Sequence, residues 1–214
     1  MVSLFGVAAS LITASYLTFE RNQRVKNAAL QLKSDLRLIQ NKTTSGDKGA
    51  GSEDCSDVAI CCPASDSTLG GWYLRVAKEG TSYSYGGICA VDVAVNNWAN
   101  EVIFSPKTTV NLPNDTKIRK IFHSLSPDVT QAVAVLFRPL RSGVEYFVAD
   151  LVLSSQVDFF DDVTGVSKTG SYIIPTPTGV VSVELSNLAG NKCYLAKLEP
   201  SGEVIDEKPI SCSI

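Results

Sequence analysis

Histidine is almost missing from this chain: His123 is the only one in 214 residues. A metal centre built on imidazoles is therefore excluded, and a Ser-His-Asp site would have to form around Ile121-Phe-His-Ser124. No G-x-S-x-G elbow accompanies that stretch, so His123 reads as a half-buried residue at a strand end. There is also no CxxC pair among the six cysteines and no methionine after Met1. Excess positive charge is lacking too. Residues 1–43 hold six Lys/Arg against two Asp/Glu, which leaves 13 basic and 20 acidic residues, net −7, for the remainder. An acidic globule repels phosphate backbones, so no nucleic-acid partner is expected. No catalytic constellation emerges, hence no enzyme and no small-molecule substrate.

Two further absences define the front of the chain. No charged residue occurs from Met1 to Phe19, and no glycine, proline or turn cluster separates that apolar segment from the amphipathic stretch ending near Lys42. One continuous helix over 3–42 is the simplest reading, roughly 60 Å long at the helical rise. About half would suit a membrane core of roughly 30 Å. In the other half, Val25, Ala28, Ala29, Leu32, Leu36 and Ile39 follow the i, i+3, i+4, i+7 pattern and form one narrow stripe rich in small residues. Arg21, Arg24, Lys26, Lys33, Asp35 and Arg37 fall outside it. The stripe is expected to pack on a sheet.

A cleaved signal peptide fits the front poorly, because no Lys or Arg precedes the apolar run and the helical pattern continues past any cut. A plain signal anchor fits poorly as well. Arg21, Arg24 and Lys26 follow the span, which would place the C-terminal side in the cytoplasm, whereas the cysteines point outside it. The remaining option is a segment whose upstream part is not in this sequence.

The run from Val2 through Gly6 and Ile12 to Tyr16 resembles the second half of the hydrophobic helix of type IV pilins and pseudopilins. Asn22 to Lys42 is similar to their amphipathic half. Ala28-Ala-x-x-Leu-x-Ser-Asp-Leu-Arg-x-x-Gln-Asn41 resembles the minor pilins and pseudopilins of the GspH/FimT type. Later echoes are Val135-Leu-Phe-Arg-Pro139, Val180 to Leu185, Lys192 to Lys197 and Glu199 to Ile205. The family's basic leader, its terminal Gly and the following Glu are absent; the Glu would lie upstream of Met1, and Ala14 stands where many members have a kinking proline. The resemblance implies a structural subunit of a type IV pilus-like filament or a type II secretion pseudopilus. It would be single-pass membrane-anchored with an extracytoplasmic domain, and its partners would be other pilin-like subunits and the membrane. Leu4, Phe5, Gly6, Val7, Leu11, Ile12 and Tyr16 would then be the assembly residues. The basic tail through which some FimT-like proteins take up DNA has no counterpart in Glu203-Val-Ile-Asp206-Glu207. A membrane-tethered binding or adhesion module is the other reading, with the helix a mere anchor and Trp72, Tyr83, Tyr85 and Trp98 as a sticky face; alternation places those aromatics in a core just as readily.

The cysteines read as disulfides rather than zinc ligands, since their spacing matches no familiar zinc module. Locality favours Cys193 with Cys212, pinning a tail with little apolar content, and leaves Cys55, Cys61, Cys62 and Cys89 to staple the loop after the helix. Asp158-Phe-Phe-Asp161-Asp162 offers oxygen ligands for calcium, as major pseudopilins do in a loop, but its spacing is not that of an EF-hand and an exposed turn explains it equally. No other cofactor is indicated.

Beyond the helix, alternation and turn residues predict strands at 71–77, 82–85, 88–95, 102–104, 108–112, 117–122, 131–137, 146–153, 170–174, 180–185 and 192–198, with Ser186 to Asn191 as a turn. The expected class is α+β. Residues 1–19 form the membrane half of the helix, 20–42 its packing half, and 43–214 a disulfide-containing domain on antiparallel sheet.

Overall fold

A computed structural model describes residues 2–47, 68–90, 101–123, 132–139, 144–149, 180–188, 192–206 and 212; for 2–12, 14, 68–70, 88–90, 101–107, 123, 145–149 and 206 it describes the backbone alone. The architecture is α+β, with one N-terminal helix packed on antiparallel sheets.

Helix α1 runs unbroken from Val2 to Thr44. Its end is built from sequence. Gly46 adopts φ +69°, the Asp47 N–H donates to the Lys42 carbonyl at 2.9 Å, and the Gly46 N–H donates to the Thr43 carbonyl at 3.2 Å. That pair of bonds around a left-handed glycine is the Schellman stop. Lys42, in the last turn, adds a favourable charge at the negative end of the helix.

Among the described residues nine strands follow: β1 (Thr68–Ala77), β2 (Ser82–Ala90), β3 (Glu101–Asn111), β4 (Thr116–His123), β5 (Ala132–Phe137), β6 (Val144–Ala149), β7 (Val181–Asn187), β8 (Cys193–Leu198) and β9 (Val204–Asp206). They form a five-stranded sheet of order β3-β2-β1-β5-β6 and a four-stranded sheet of order β4-β7-β8-β9. Every described pairing is antiparallel.

Four strands differ from expectation. The segments at 82–85 and 88–95 join through Gly86 and Gly87 into one strand, β2, described as far as Ala90. The two short segments at 102–104 and 108–112 are one strand, β3, which spans Pro106. Proline has no N–H to give, and β3 tolerates it as an edge strand whose register against β2 shifts between Tyr85 and Gly87. Strand β7 continues through Ser186 and Asn187, which the sequence assigned to the turn. The tail is not held by a covalent tie alone: Val204–Asp206 pairs with β8 through Leu198, Lys197 and Ala196, and Val204 is buried. The proposed strand at 170–174 and the far ends of those at 88–95 and 146–153 lie outside the described residues.

The core lies where both sheets meet the helix. Val25, Ala28, Leu32, Leu36 and Ile39 are buried against Trp72, Leu74 and Val76 of β1, Val133, Val135 and Phe137 of β5, Ile118 and Ile121 of β4, Val183 and Leu185 of β7, and Ala196 and Leu198 of β8; Ala29 packs at the edge of this cluster. Alternation explains which side chains of β1, β5, β7 and β8 face inward, while in β4 the register shift between Ile118 and Lys120 brings Ile118 and Ile121 to one face. The two sheets are stitched directly as well. The Glu79 N–H donates to the Ile118 carbonyl at 2.6 Å, and the Ile118 N–H donates to the Gly80 carbonyl at 2.9 Å. Gly71 permits the close pairing of β1 with β5: at φ +147°, a β-carbon there would sit 2.3 Å from the Phe137 carbonyl oxygen.

Leu32, 1% exposed at the centre of the stripe, gives a direct check. Leu32→Ala should lower unfolding free energy by about 2–5 kcal/mol through lost burial and a residual cavity. Leu38→Ala, on the 41%-exposed side of the same helix, should change it by no more than about 0.5 kcal/mol. Denaturant melts of the full chain in detergent would read both; equal effects would contradict this packing.

Candidate functional site: the exposed half of the helix

Residue 20 divides α1 in two. Before it, Thr13, Ser15, Tyr16, Leu17, Thr18 and Phe19 are all exposed. Tyr16 is 65%, Leu17 45% and Phe19 60% exposed. At about 100° per residue these three point to different sides of the helix, so this half is apolar in several directions rather than on one. Leu4, Phe5, Gly6, Val7, Leu11 and Ile12 continue the same helix, and their side chains lie outside the described residues. Among the described residues no helix is long and apolar enough to cross a membrane.

From residue 20 the domain takes hold. Glu20 and Asn22 are partly covered, and Val25 is the first fully buried side chain among the described residues. Arg24 bonds Glu20 one turn back at 2.7 Å and reaches Asp115, in the β3–β4 turn, at 3.7 Å. These exposed ion pairs orient more than they stabilise. Deeper ties follow along the stripe. Tyr83 donates its hydroxyl proton to Asp35 Oδ2 at 2.5 Å. Burial, then the hydrogen bond to Asp35, push the Tyr83 hydroxyl far above its ordinary value. At the top, Thr43 Oγ1 donates to the Ile39 carbonyl at 2.9 Å and lies 3.5 Å from the Phe137 carbonyl of β5. Trp72 Nε1 donates to the Asp47 carbonyl at 2.7 Å, and Lys42 Nζ stands 4.4 Å from the centre of the Trp72 ring while pairing with Asp47 at 2.9 Å. Both ends of the packing half are thereby fastened, so the exposed half projects from a fixed base.

Cys193 and Cys212 are joined in a disulfide across 19 positions, with 5.1 Å between their α-carbons. Closing a loop of that size stabilises by about 3 kcal/mol in chain-entropy models. Beneath it sits a pair that sequence reading missed. Glu184, 1% exposed, accepts from Arg119 Nη1 at 3.3 Å, and Arg119 Nη1 is 3.7 Å from Cys193 Sγ. Arg119 occupies the register shift between Ile118 and Lys120, so a local irregularity aims it at the buried acid. Glu184, Cys193 and Cys212 cluster closely enough to suggest a metal site, but both sulfurs are spent in the disulfide and the carboxylate is held by Arg119. Cys55, Cys61 and Cys62 lie outside the described residues, as does the side chain of Cys89, and so do Asp158, Asp161 and Asp162 of the calcium alternative. His123 closes β4, with its side chain undescribed. Trp72 and Tyr83 are core residues and Tyr85 packs on the core, which removes them from any adhesive face; Trp98 is not described.

Comparison of the chain with known protein families, with curated proteins and with solved structures finds no match.

The Tyr83–Asp35 bond carries a pH signature. Because the folded-state value is raised above the ordinary 10.0, the stabilisation is fully present below pH 10 and is lost as pH rises beyond it, where the unfolded chain releases the proton first. Tyr83→Phe should cost about 1.5–3 kcal/mol near neutrality and should flatten the decline in stability above pH 10. A variant whose alkaline profile matches the parent's would contradict this assignment.

Proposed function

We propose that this chain is a non-enzymatic structural subunit of the pilin or pseudopilin type, entering a type IV pilus-like filament or a secretion pseudopilus through the front half of α1. The observation that carries this reading is the division of one unbroken helix: its back half is locked into the core by five buried side chains, and its front half leaves Tyr16, Leu17 and Phe19 exposed on different sides. Large apolar side chains exposed in several directions call for an apolar surround. Lipid supplies it while the subunit waits in the membrane, and neighbouring helices supply it in a filament. Small residues such as Gly6, Ala8 and Ala9 in the same run favour close approach of helices in an apolar medium. The resemblance of residues 2–42 to pilin helices agrees with this division of labour.

A membrane-tethered adhesion module is the weaker reading, since Trp72 and Tyr83 are buried rather than presented to a ligand. The two differ in what the helix must do. Replacing residues 2–19 by an unrelated apolar span, in the cell that makes the protein, should keep it membrane-attached but abolish its recovery in sheared filaments. Undiminished incorporation with the foreign span would overturn the filament reading and favour the tether.

A further inference from the structure

The end of the domain nearest residue 20 of the helix has its own chemistry. Three turns meet there. The β3–β4 turn is tied to the helix by Arg24–Asp115. The β7–β8 turn hangs from it, the Leu188 N–H donating to the Asp115 carbonyl at 2.9 Å. The β1–β2 turn is bonded to the start of β4 through Glu79, Gly80 and Ile118. Leu188, just after β7, is 60% exposed at this end, and the exposed Lys192 immediately precedes β8.

The charges at this end sort themselves. Glu20 and Asp115 face Arg24, and Glu79 pairs with Lys117. Among the described residues Arg21, Lys78 and Lys192 remain, so the described charges at this end are net basic, on a chain whose residues after 43 are net acidic. No spacer separates this surface from the apolar run. The uncharged stretch stops at Phe19, and three residues later Asn22 Oδ1 is already fully buried by the domain.

We propose that this end of the domain is a docking surface for anionic phospholipid headgroups, with Leu188 entering the interface and Arg21, Lys78 and Lys192 meeting the phosphates. It rests on the membrane anchoring proposed above. With the uncharged run in the bilayer, Tyr16 and Phe19 fall at the headgroup level, where aromatic side chains favourably lie, and the three turns are brought to the lipid surface. Lysine and arginine held at that distance are attracted to anionic lipid within a Debye length. The β8–β9 turn supplies an internal contrast. It packs against Gln40 through Gly202, which places it roughly 24 Å further along the helix than Arg24.

The test uses the full chain in vesicles whose acyl chains are brominated, with single tryptophans introduced by Leu188→Trp, Ser201→Trp and Phe19→Trp and the emission of native Trp72 and Trp98 subtracted from the parent. In vesicles containing phosphatidylglycerol, the emission added at 188 should shift to the blue and be quenched by bromine, while that at 201 stays solvent-like. Arg21→Glu, Lys78→Glu and Lys192→Glu together, or purely phosphatidylcholine vesicles, should abolish the quenching at 188 and leave that at 19 intact. Quenching at 19 with none at 188 would overturn the docking and leave the anchoring standing; no quenching at 19 would overturn both. Quenching at 188 that survives charge reversal would overturn the headgroup assignment. A blue shift at 188 that grows with protein concentration and ignores bromine would give the surface to a second copy of the chain instead.

Discussion

Both sheets turn an apolar face toward the same helix, and that shared contact is the constraint on which the fold depends. Val25, Ala28, Leu32, Leu36 and Ile39 meet side chains from β1, β4, β5, β7 and β8. Neither sheet could bury those faces by its few turn contacts with the other, since a single-layer sheet needs a second layer for a dry core. The small residues of the stripe matter here: Ala28 is fully buried and Ala29 partly so, which lets backbone and strands approach closely. The ties that flank the stripe, Asp35 to Tyr83 and Thr43 to β5, satisfy polar groups that the close approach would otherwise strand, and fix the helix in rotation and register.

A helix locked in this way imposes a consequence on its own front half. With no glycine or proline between the two halves and a continuous helical backbone, the base cannot hold still while the projection bends freely. The exposed aromatic and leucine side chains at 16, 17 and 19 are presented at a set distance and direction from the domain. That geometry suits a subunit whose neighbours must find it in one orientation, and it brings the turns around Leu188 to a set height above whatever surrounds Phe19. In the reading proposed above, packing, assembly and lipid contact become one problem solved by one rod.

Much of this was legible in the sequence because periodicity reports burial. The i, i+3, i+4, i+7 spacing of the stripe marked its buried side chains, and alternation in Gly71 to Ala77 and Gln131 to Phe137 located β1 and β5, two of the three inner strands of the larger sheet. Locality was enough to pair Cys193 with Cys212. What escaped depends on partners far away in the chain. Val204–Asp206 is too short to declare itself and becomes a strand only because β8 offers an edge. Pro106 reads as a break, yet an edge strand absorbs it. Glu184 looks like a solvent-facing acid between Val183 and Leu185, and its burial against Arg119 follows from a register shift in another strand. The exposure of Leu188 likewise follows from its place in a turn, not from its type.

The central claim, that the packing half of α1 is the common wall of both sheets, is tested most directly by native-state hydrogen exchange on the full chain in lipid. The amides of residues 25–43 should share the protection of β1, β7 and β8 and lose it in the same opening event, because removing the helix uncovers both sheets at once. Exchange of the helix amides at far lower free energy, while the two sheets remain protected, would show that the sheets stand without it and would contradict the account.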